Sequence, residues 1–150
     1  MPQRKRGKMS VVTGQRNVPD TPQNRQLDAC VKAKDLVIHT IKICANKNIF
    51  LPEYQTSFTD DIIRTAKNIF ICAWTANNIR VNNADDWMER KRLQKRSVIE
   101  CNNLLALISI AKTLYHLKHK KVTYWVSLTV EARNYIRKWM ESDSKRYRKA

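Results

Sequence analysis

The chain contains stretches in which apolar residues recur every three or four positions, the spacing that places them on one face of an α-helix. The predicted core positions of the first helix are Cys30, Ala33, Val37, Ile41 and Cys44. Those of the second are Phe58, Ile62, Ala66, Ile69 or Phe70, Ala73 and Ala76. Those of the last are Trp125, Leu128 or Thr129, Ala132, Ile136 and Trp139. Each of these helices therefore has an apolar face that needs a partner.

Helix ends are indicated by capping and turn residues. The first helix is predicted to end near Ala45, before the turn-forming run 46–48. Ser57 or Thr59 is a candidate N-cap for the second helix. Asp86, followed by Glu89 three residues later, resembles a capping box and predicts the start of the third helix.

The stretch 86–140 contains neither glycine nor proline, which predicts two long helices folded back on each other about a hinge at 115–121. The only glycines are Gly7 and Gly14, too few for the tight turns of a β-rich fold. We therefore predict an all-α, antiparallel, up-and-down four-helix bundle over 27–141. A flexible basic tail is predicted at 1–26 and a second basic tail at 142–150.

One segment of the third helix is apolar on nearly every side. From Leu104 to Ala111 only Ser109 is polar. A single helix face cannot accommodate so many apolar residues, so this segment is predicted either to lie deep in the bundle or to form a subunit contact.

The charge distribution favours a polyanionic partner. The sequence has 29 Lys plus Arg against 13 Asp plus Glu, a net charge of +16, and the excess is largest in its second half. The candidate phosphate-binding residues are Arg90, Lys91, Arg92, Lys95, Arg96, Lys118, Lys120, Lys121, Arg133, Arg137, Lys145, Arg146 and Arg148. No aromatic residue is interleaved in the two densest clusters, so the predicted contacts are with backbone phosphates and not with bases. The alternative is a solvated charged face that keeps the protein soluble.

Motifs for catalysis or cofactor binding are not found in the sequence. It has no Glu-x-x-His pair for a di-iron centre, no phosphate-binding loop and no nucleophile motif, so neither an enzyme nor a cofactor is expected. His116 and His119 have a metal-compatible spacing, but their lysine-rich surroundings would repel a cation. The four widely spaced cysteines fit buried thiols in a reducing compartment. No apolar run reaches the ~20 residues of a membrane span, so a cytoplasmic protein is expected.

The region from about Arg90 to Tyr147 resembles the accessory variability determinant (Avd) family of diversity-generating retroelements. The residues that carry this resemblance are Arg92-Leu93-Gln94, Cys101-Asn102-Asn103-Leu104, Ile110-Ala111-Lys112, Tyr115-His116-Leu117, Lys120-Lys121, Tyr124-Trp125, Asn134, Ile136, Trp139, Ser142-Asp143 and Arg146-Tyr147. The resemblance implies a homopentameric ring of four-helix bundles that binds the retroelement's reverse transcriptase, its template RNA and the cDNA. It also implies a role in mutagenic cDNA synthesis in the cytoplasm of a bacterium or a phage-infected host.

Two other readings remain open. One is the related group of four-helix bundle proteins encoded within bacterial ribosomal RNA insertions, which an adjacent reverse transcriptase gene would argue against. The other is an oligomeric scaffold that assembles through protein contacts alone. RNA binding that weakens steeply with salt would separate a nucleic-acid-binding protein from such a scaffold.

Overall fold

A computed structural model describes residues 21–148, which form four α-helices and no strand. The helices are α1 (Pro22–Cys44), α2 (Asp60–Asn77), α3 (Ala84–Leu114) and α4 (His119–Tyr147). Each packs against its neighbour in sequence, and α4 closes the bundle by packing against α1. The all-α prediction is confirmed, and the packing is that of an up-and-down four-helix bundle.

Helix α1 begins earlier than predicted. The Thr21 hydroxyl accepts a 3.2 Å hydrogen bond from the Asn24 amide, and Pro22 occupies the first turn, where its missing N–H costs nothing. The assignment of 22–26 to a flexible tail is therefore wrong, because a proline at this position starts a helix instead of breaking one. The rest of that predicted tail, 1–20, lies outside the described residues.

Two of the predicted core faces are confirmed and one is rotated. On α2 the buried residues are Ile62, Ala66, Ile69, Ala73 and Ala76, and on α4 they include Trp125, Thr129, Ala132, Ile136 and Trp139. On α1, however, Ile41 is 43% exposed, and Leu36 and Thr40 take the buried positions. An apolar pattern does not identify Thr40, because threonine is polar. Thr40 can nevertheless be buried because its hydroxyl accepts a hydrogen bond from the indole of Trp125.

One end of the bundle, which we call the hinge end, is closed by aromatic rings. The α1–α2 connection contains a 3-10 turn (Pro52–Tyr54) and a turn of π-helix (Gln55–Thr59). It places Phe50 4.6 Å from Tyr115, measured between ring centroids. Trp125 Nε1 donates a 3.0 Å hydrogen bond to Thr40, and Thr59 and Tyr115 share another of 3.0 Å. Thr59 therefore binds this cluster and does not cap α2 with its side chain.

The two ends of α3 are closed by side-chain and backbone hydrogen bonds. Asn83, and not Asp86, is the N-cap: its side chain accepts from the Asp86 amide at 2.9 Å, while Asp86 accepts from the Asn82 amide at 3.0 Å. At the other end His116 has a left-handed backbone (φ 52°) and Leu117 N donates to Lys112 O at 3.1 Å. A histidine therefore fills the position that glycine usually occupies after a helix.

The opposite end, which we call the termini end, contains the start of α1 and the end of α4. Helix α4 continues to Tyr147, and the side chains of Ser142 and Asp143 are buried within it. The prediction of a separate C-terminal tail is therefore wrong for 142–147. A serine and an aspartate gave no apolar signal, although their polar groups have partners on other helices.

The apolar segment of α3 is covered on one side only in the single chain. Leu104, Ile108 and Ala111 are buried, whereas Ile110 is 51% exposed. The expectation that the segment lies deep in one bundle is thus wrong. A subunit contact over Ile110 stays a prediction.

Helix α3 also contains an 18-residue window of mean hydropathy 1.2 with no more than two charged residues. By length and composition this helix could cross a membrane, but a core helix of a bundle passes the same test. Cys101, Leu104 and Ile108 pack in the core, but only 33% of that window is buried, so core packing accounts for only part of the apolar composition.

Candidate nucleic-acid interface

Arg90 does not belong to the predicted phosphate-binding surface. Its side chain is only 3% exposed, and its Nε donates a 2.7 Å hydrogen bond to Asp143 on α4. Its remaining donors reach Gln26 Oε1 at 2.8 Å and the backbone oxygen of Ile79 at 3.1 Å. With its fork of donors already satisfied inside the protein, this guanidinium has a structural role at the termini end.

The hydrogen-bond partners of Arg90 come from the other three helices: Gln26 on α1, the backbone oxygen of Ala76 on α2, and Asp143 on α4. Asp143 also accepts a 2.7 Å hydrogen bond from Gln94, and it is fully buried. The guanidinium lies 5.3 Å from the ring centroid of Trp139 and 5.6 Å from that of Tyr147. Sequence reasoning missed this network because the partners of Arg90 lie 53 and 64 residues away.

The cations that follow Arg90 form a face of α3 that we call the α3 basic face, consisting of the half-buried Lys91 and the exposed Arg92, Lys95 and Arg96. Arg92 pairs with Glu89, and Arg96 lies 3.8 Å from Glu100. Lys91 lies 5.9 Å from the centroid of the Trp87 ring. Lys95 is exposed and has no ion pair with the other described residues.

The ion pair of Arg92 with Glu89 on this face is exposed and weak. The hydrogen bond from Arg92 lowers the pKa of Glu89, so that this carboxylate stays charged at neutral pH. Both groups are nevertheless exposed, and exposed pairs of this kind contribute little to stability. A phosphate, which accepts bidentate bonds from arginine, can replace such a partner.

Arg133 and Arg137 lie one turn apart on α4, on the side that faces α3. Arg133 Nη1 donates a 2.7 Å hydrogen bond to Asn102 on α3. Burial raises the pKa of Cys101 on α3, and the charges of the two nearby arginines offset part of that rise. Arg137 is exposed and Arg133 is half-buried, so both add cations to the surface of α4 where it packs against α3.

Lys118, Lys120 and Lys121, which we call the hinge lysines, are exposed at the start of α4. None of them has an ion pair with a residue in 21–148, and the first turn of α4 contains no acidic residue. The N-terminus of a helix carries a partial positive charge, so these ammonium groups add cations where the helix already favours an anion. This end of α4 is therefore suited to a phosphate.

The last candidate cations, Lys145, Arg146 and Arg148, are exposed at the end of α4. Cations at this position interact favourably with the helix dipole, which gives Lys145 and Arg146 a structural reason to be there. Arg146 also lies 5.0 Å from the ring centroid of Tyr147. It borders a cavity of about 400 Å³ together with Arg80.

No aromatic residue is interleaved within the two basic clusters, but Trp87 lies beside Lys91, and Tyr124 lies beside the hinge lysines. Tyr124 lies one helical turn after Lys120 and Lys121 and shares a cavity with them. His39 and Lys42 of α1 also line this cavity. The α4 members of this group could have been found from the sequence, because Lys120 and Tyr124 are four positions apart on one helix. The α1 members could not, because they lie some 80 positions away.

The described residues include no group of three or more His, Cys, Asp or Glu side chains that could hold a metal ion. The cysteines are free: three are buried and Cys72 is half-buried. Burial raises the pKa of Cys30 to about 11 and that of Cys44 and Cys101 to about 12. These thiols are therefore protonated at neutral pH, which suits core packing and not nucleophilic chemistry.

Comparison of the chain with protein-family models, with curated proteins and with solved structures gives no match. The resemblance to the Avd family therefore stays a prediction from the residues quoted for it.

Proposed function

We propose that this protein is a non-enzymatic, RNA-binding accessory protein that supports mutagenic cDNA synthesis by the reverse transcriptase of a diversity-generating retroelement. The observation that supports it best is the group of exposed cations at the start of α4, where Lys118, Lys120 and Lys121 have no carboxylate partner among the described residues. The α3 basic face and Arg137 add further exposed cations.

Backbone phosphates are the natural ligand for such a surface. Mutual repulsion between neighbouring cations on a helix costs a few tenths of a kcal/mol per pair, and a bound polyanion relieves it. Each phosphate that is neutralised also releases counterions from the nucleic acid, which makes binding favourable at low salt. Such contacts carry little sequence information, so broad RNA binding is expected.

The exposed apolar residues favour a protein partner or a second copy of the chain in addition to RNA. Ile99 and Ile110 lie on the outer side of α3, and Ile71 and Trp74 on that of α2. The homopentamer and the reverse transcriptase contact are parts of the proposal that rest on the family resemblance.

The RNA part of the proposal can be tested with a charge-matched pair of variants. Arg92→Gln, Lys95→Gln and Arg96→Gln together should weaken RNA binding at low salt about tenfold or more, because three phosphate contacts are lost. The control, Lys34→Gln with Arg64→Gln and Lys67→Gln, removes the same charge from α1 and α2 and should change the affinity less. Equal losses in both variants would contradict a localised phosphate-binding surface.

The retroelement part requires a different experiment. A tagged copy of this protein, expressed with the reverse transcriptase encoded beside its gene, should co-purify with that enzyme after nuclease treatment. cDNA synthesis on the template RNA should fall when the protein is omitted. Failure of the reverse transcriptase to associate, together with unchanged cDNA synthesis, would contradict the proposed role even if RNA binding is retained.

A further inference from the structure

A cavity of about 550 Å³ lies between α1 and α4 at the hinge end, and we call it the hinge pocket. Its lining residues are His39, Lys42, Ile43, Lys120, Lys121 and Tyr124. We propose that the hinge pocket binds an unpaired nucleotide of a single-stranded RNA, with the three lysines on its phosphates and Tyr124 stacked on its base. This inference rests on the proposed RNA binding and adds the form of RNA that is recognised.

The fold explains why these residues meet. Helices α1 and α4 pack side by side in opposite directions, so the last turns of α1 face the first turns of α4. The rings of His39 on α1 and Tyr124 on α4 contact each other where these turns meet, with centroids 5.1 Å apart and planes at 82°. Lys42 follows His39 by one turn on α1, and Lys120 and Lys121 precede Tyr124 by one turn on α4.

The charge of the hinge pocket comes from its lysines alone. No carboxylate lines it, and none of its three lysines has an ion pair within the part of the chain that the structure describes. Burial, and secondly the charge of Lys42, lower the pKa of His39, so its imidazole is neutral at pH 7. Three ammonium groups around one cavity, next to the positive end of α4, favour a bound phosphate.

The ring of Tyr124 favours a nucleotide over a free anion, because only the nucleotide has a base that can stack on it. Tyr124 is 56% exposed, although a large aromatic ring usually has more of its surface covered in a folded protein. Bases stack on exposed rings of this kind with little sequence preference, because every base has a π-face. In a duplex the base faces are covered by their neighbours, so this contact requires an unpaired base.

The neighbouring groove limits where the strand can run. The α1–α4 groove continues into a second cavity of about 620 Å³, which shares His39, Lys42 and Tyr124 with the hinge pocket. Asp35, Glu131 and Lys32 also line this second cavity. Lys32 and Glu131 form an ion pair across it, 3.5 Å between Nζ and Oε1. Carboxylates repel phosphates, so the strand should leave the hinge pocket toward Lys118 and not along this groove.

The decisive experiment compares single-stranded and double-stranded RNA. Binding of a fluorescent 12-nucleotide oligouridine and of a 12-base-pair RNA duplex is measured by anisotropy at low salt. Tyr124→Ala should weaken binding of the single strand about tenfold through loss of stacking, and leave duplex binding unchanged. Tyr124→Phe keeps the aromatic ring and should bind both probes like the original protein.

One control and one further variant separate base stacking from other effects on RNA binding. Leu27→Ala removes another exposed apolar side chain, at the start of α1 and outside the hinge pocket, and should not change binding of either probe. Lys42→Gln with Lys120→Gln and Lys121→Gln should weaken single-strand binding and flatten its salt slope by about 2. Helical circular dichroism should be unaltered in all of these variants because the changed side chains are at the surface.

The outcomes distinguish this inference from the proposed function. If the original protein binds oligouridine and Tyr124→Ala binds it equally well, the hinge pocket does not stack a base, and RNA binding itself stands. If the original protein binds neither probe in dilute buffer, the RNA-binding proposal fails, and the hinge pocket inference fails with it.

Discussion

The two ends of the bundle are closed by different chemistry. At the termini end, Arg90 and Asp143 form a buried ion pair, 2.7 Å between Nε and Oδ2, that Gln26 and Gln94 complete. At the hinge end, Phe50, Tyr115 and Trp125 form an aromatic cluster whose polar atoms bond to threonines.

Cationic side chains also differ between the two ends. The cation at the termini end is neutralised inside the protein, whereas the hinge lysines are exposed at the surface. Net charge in a sequence does not reveal which cations are available to a ligand, because that depends on partners that are distant in the chain. The comparison gives Arg90 a stabilising role and leaves the exposed lysines as the candidates for phosphate binding.

The largest expected effect is the loss of stability when the buried pair is broken. Asp143→Ala leaves the guanidinium of Arg90 buried without its counterion and should lower the free energy of unfolding by about 3–5 kcal/mol. Asp61→Ala, which removes an exposed partner of Arg64, should change it by less than about 1 kcal/mol. Urea unfolding followed by circular dichroism measures both values. Similar small losses in the two variants would show that the termini end does not depend on its ion pair.

Thiol reactivity reports on the two ends separately, because Cys30 lies near Arg90 and Cys44 ends α1 at the hinge end. Burial raises the pKa of Cys30 to about 11 and that of Cys44 to about 12, so at pH 8 they should react about 100-fold and about 1,000-fold more slowly than an unfolded thiol. Asp143→Ala should speed alkylation of Cys30 more than that of Cys44. Alkylation followed by peptide mass mapping gives the two rates, and equal acceleration would mean that the ends open together.

These raised pKa values also predict how stability depends on pH. The unfolded thiols lose their protons near pH 9, whereas the folded ones retain them to about pH 11 or above. The unfolded state therefore binds fewer protons between these values, and the free energy of unfolding should fall as the pH rises above about 9.

A smaller loss of stability is expected when a hydrogen bond of the aromatic cluster at the hinge end is removed. Thr40→Val keeps the shape of the side chain but leaves the indole N–H of Trp125 buried without its acceptor, which should cost about 1–3 kcal/mol in urea unfolding. Thr123→Val, at an exposed position of α4, provides the control and should be nearly neutral. An unchanged free energy for Thr40→Val would show that this hydrogen bond does not hold the aromatic cluster.

The helices could be predicted because their signals are local. Apolar spacing located the core faces of α2 and α4, and the turn residues located the breaks between helices. The failures involve polar residues that are buried through distant partners. Arg90 was placed among surface cations because basic residues follow it in the sequence. Asp143 was assigned to a tail because the residues after Met140 are nearly all polar.

Only part of the candidate interface could be predicted, because some of its residues come together from distant parts of the sequence. The hinge lysines and most of the α3 basic face are contiguous in sequence and are indeed exposed. The hinge pocket required Lys42 and His39 from α1 to meet Tyr124 from α4, a contact that only the packing of the bundle creates.

The central claim, that the exposed cations bind backbone phosphates, is tested most directly by the salt dependence of RNA affinity. The dissociation constant for a single-stranded RNA is measured between 50 and 300 mM salt, a range wide enough to resolve counterion release. A plot of log affinity against log salt should have a slope of about −3 or steeper, as expected for four or more neutralised phosphates. A flat plot, or no binding at the lowest salt, would contradict the account.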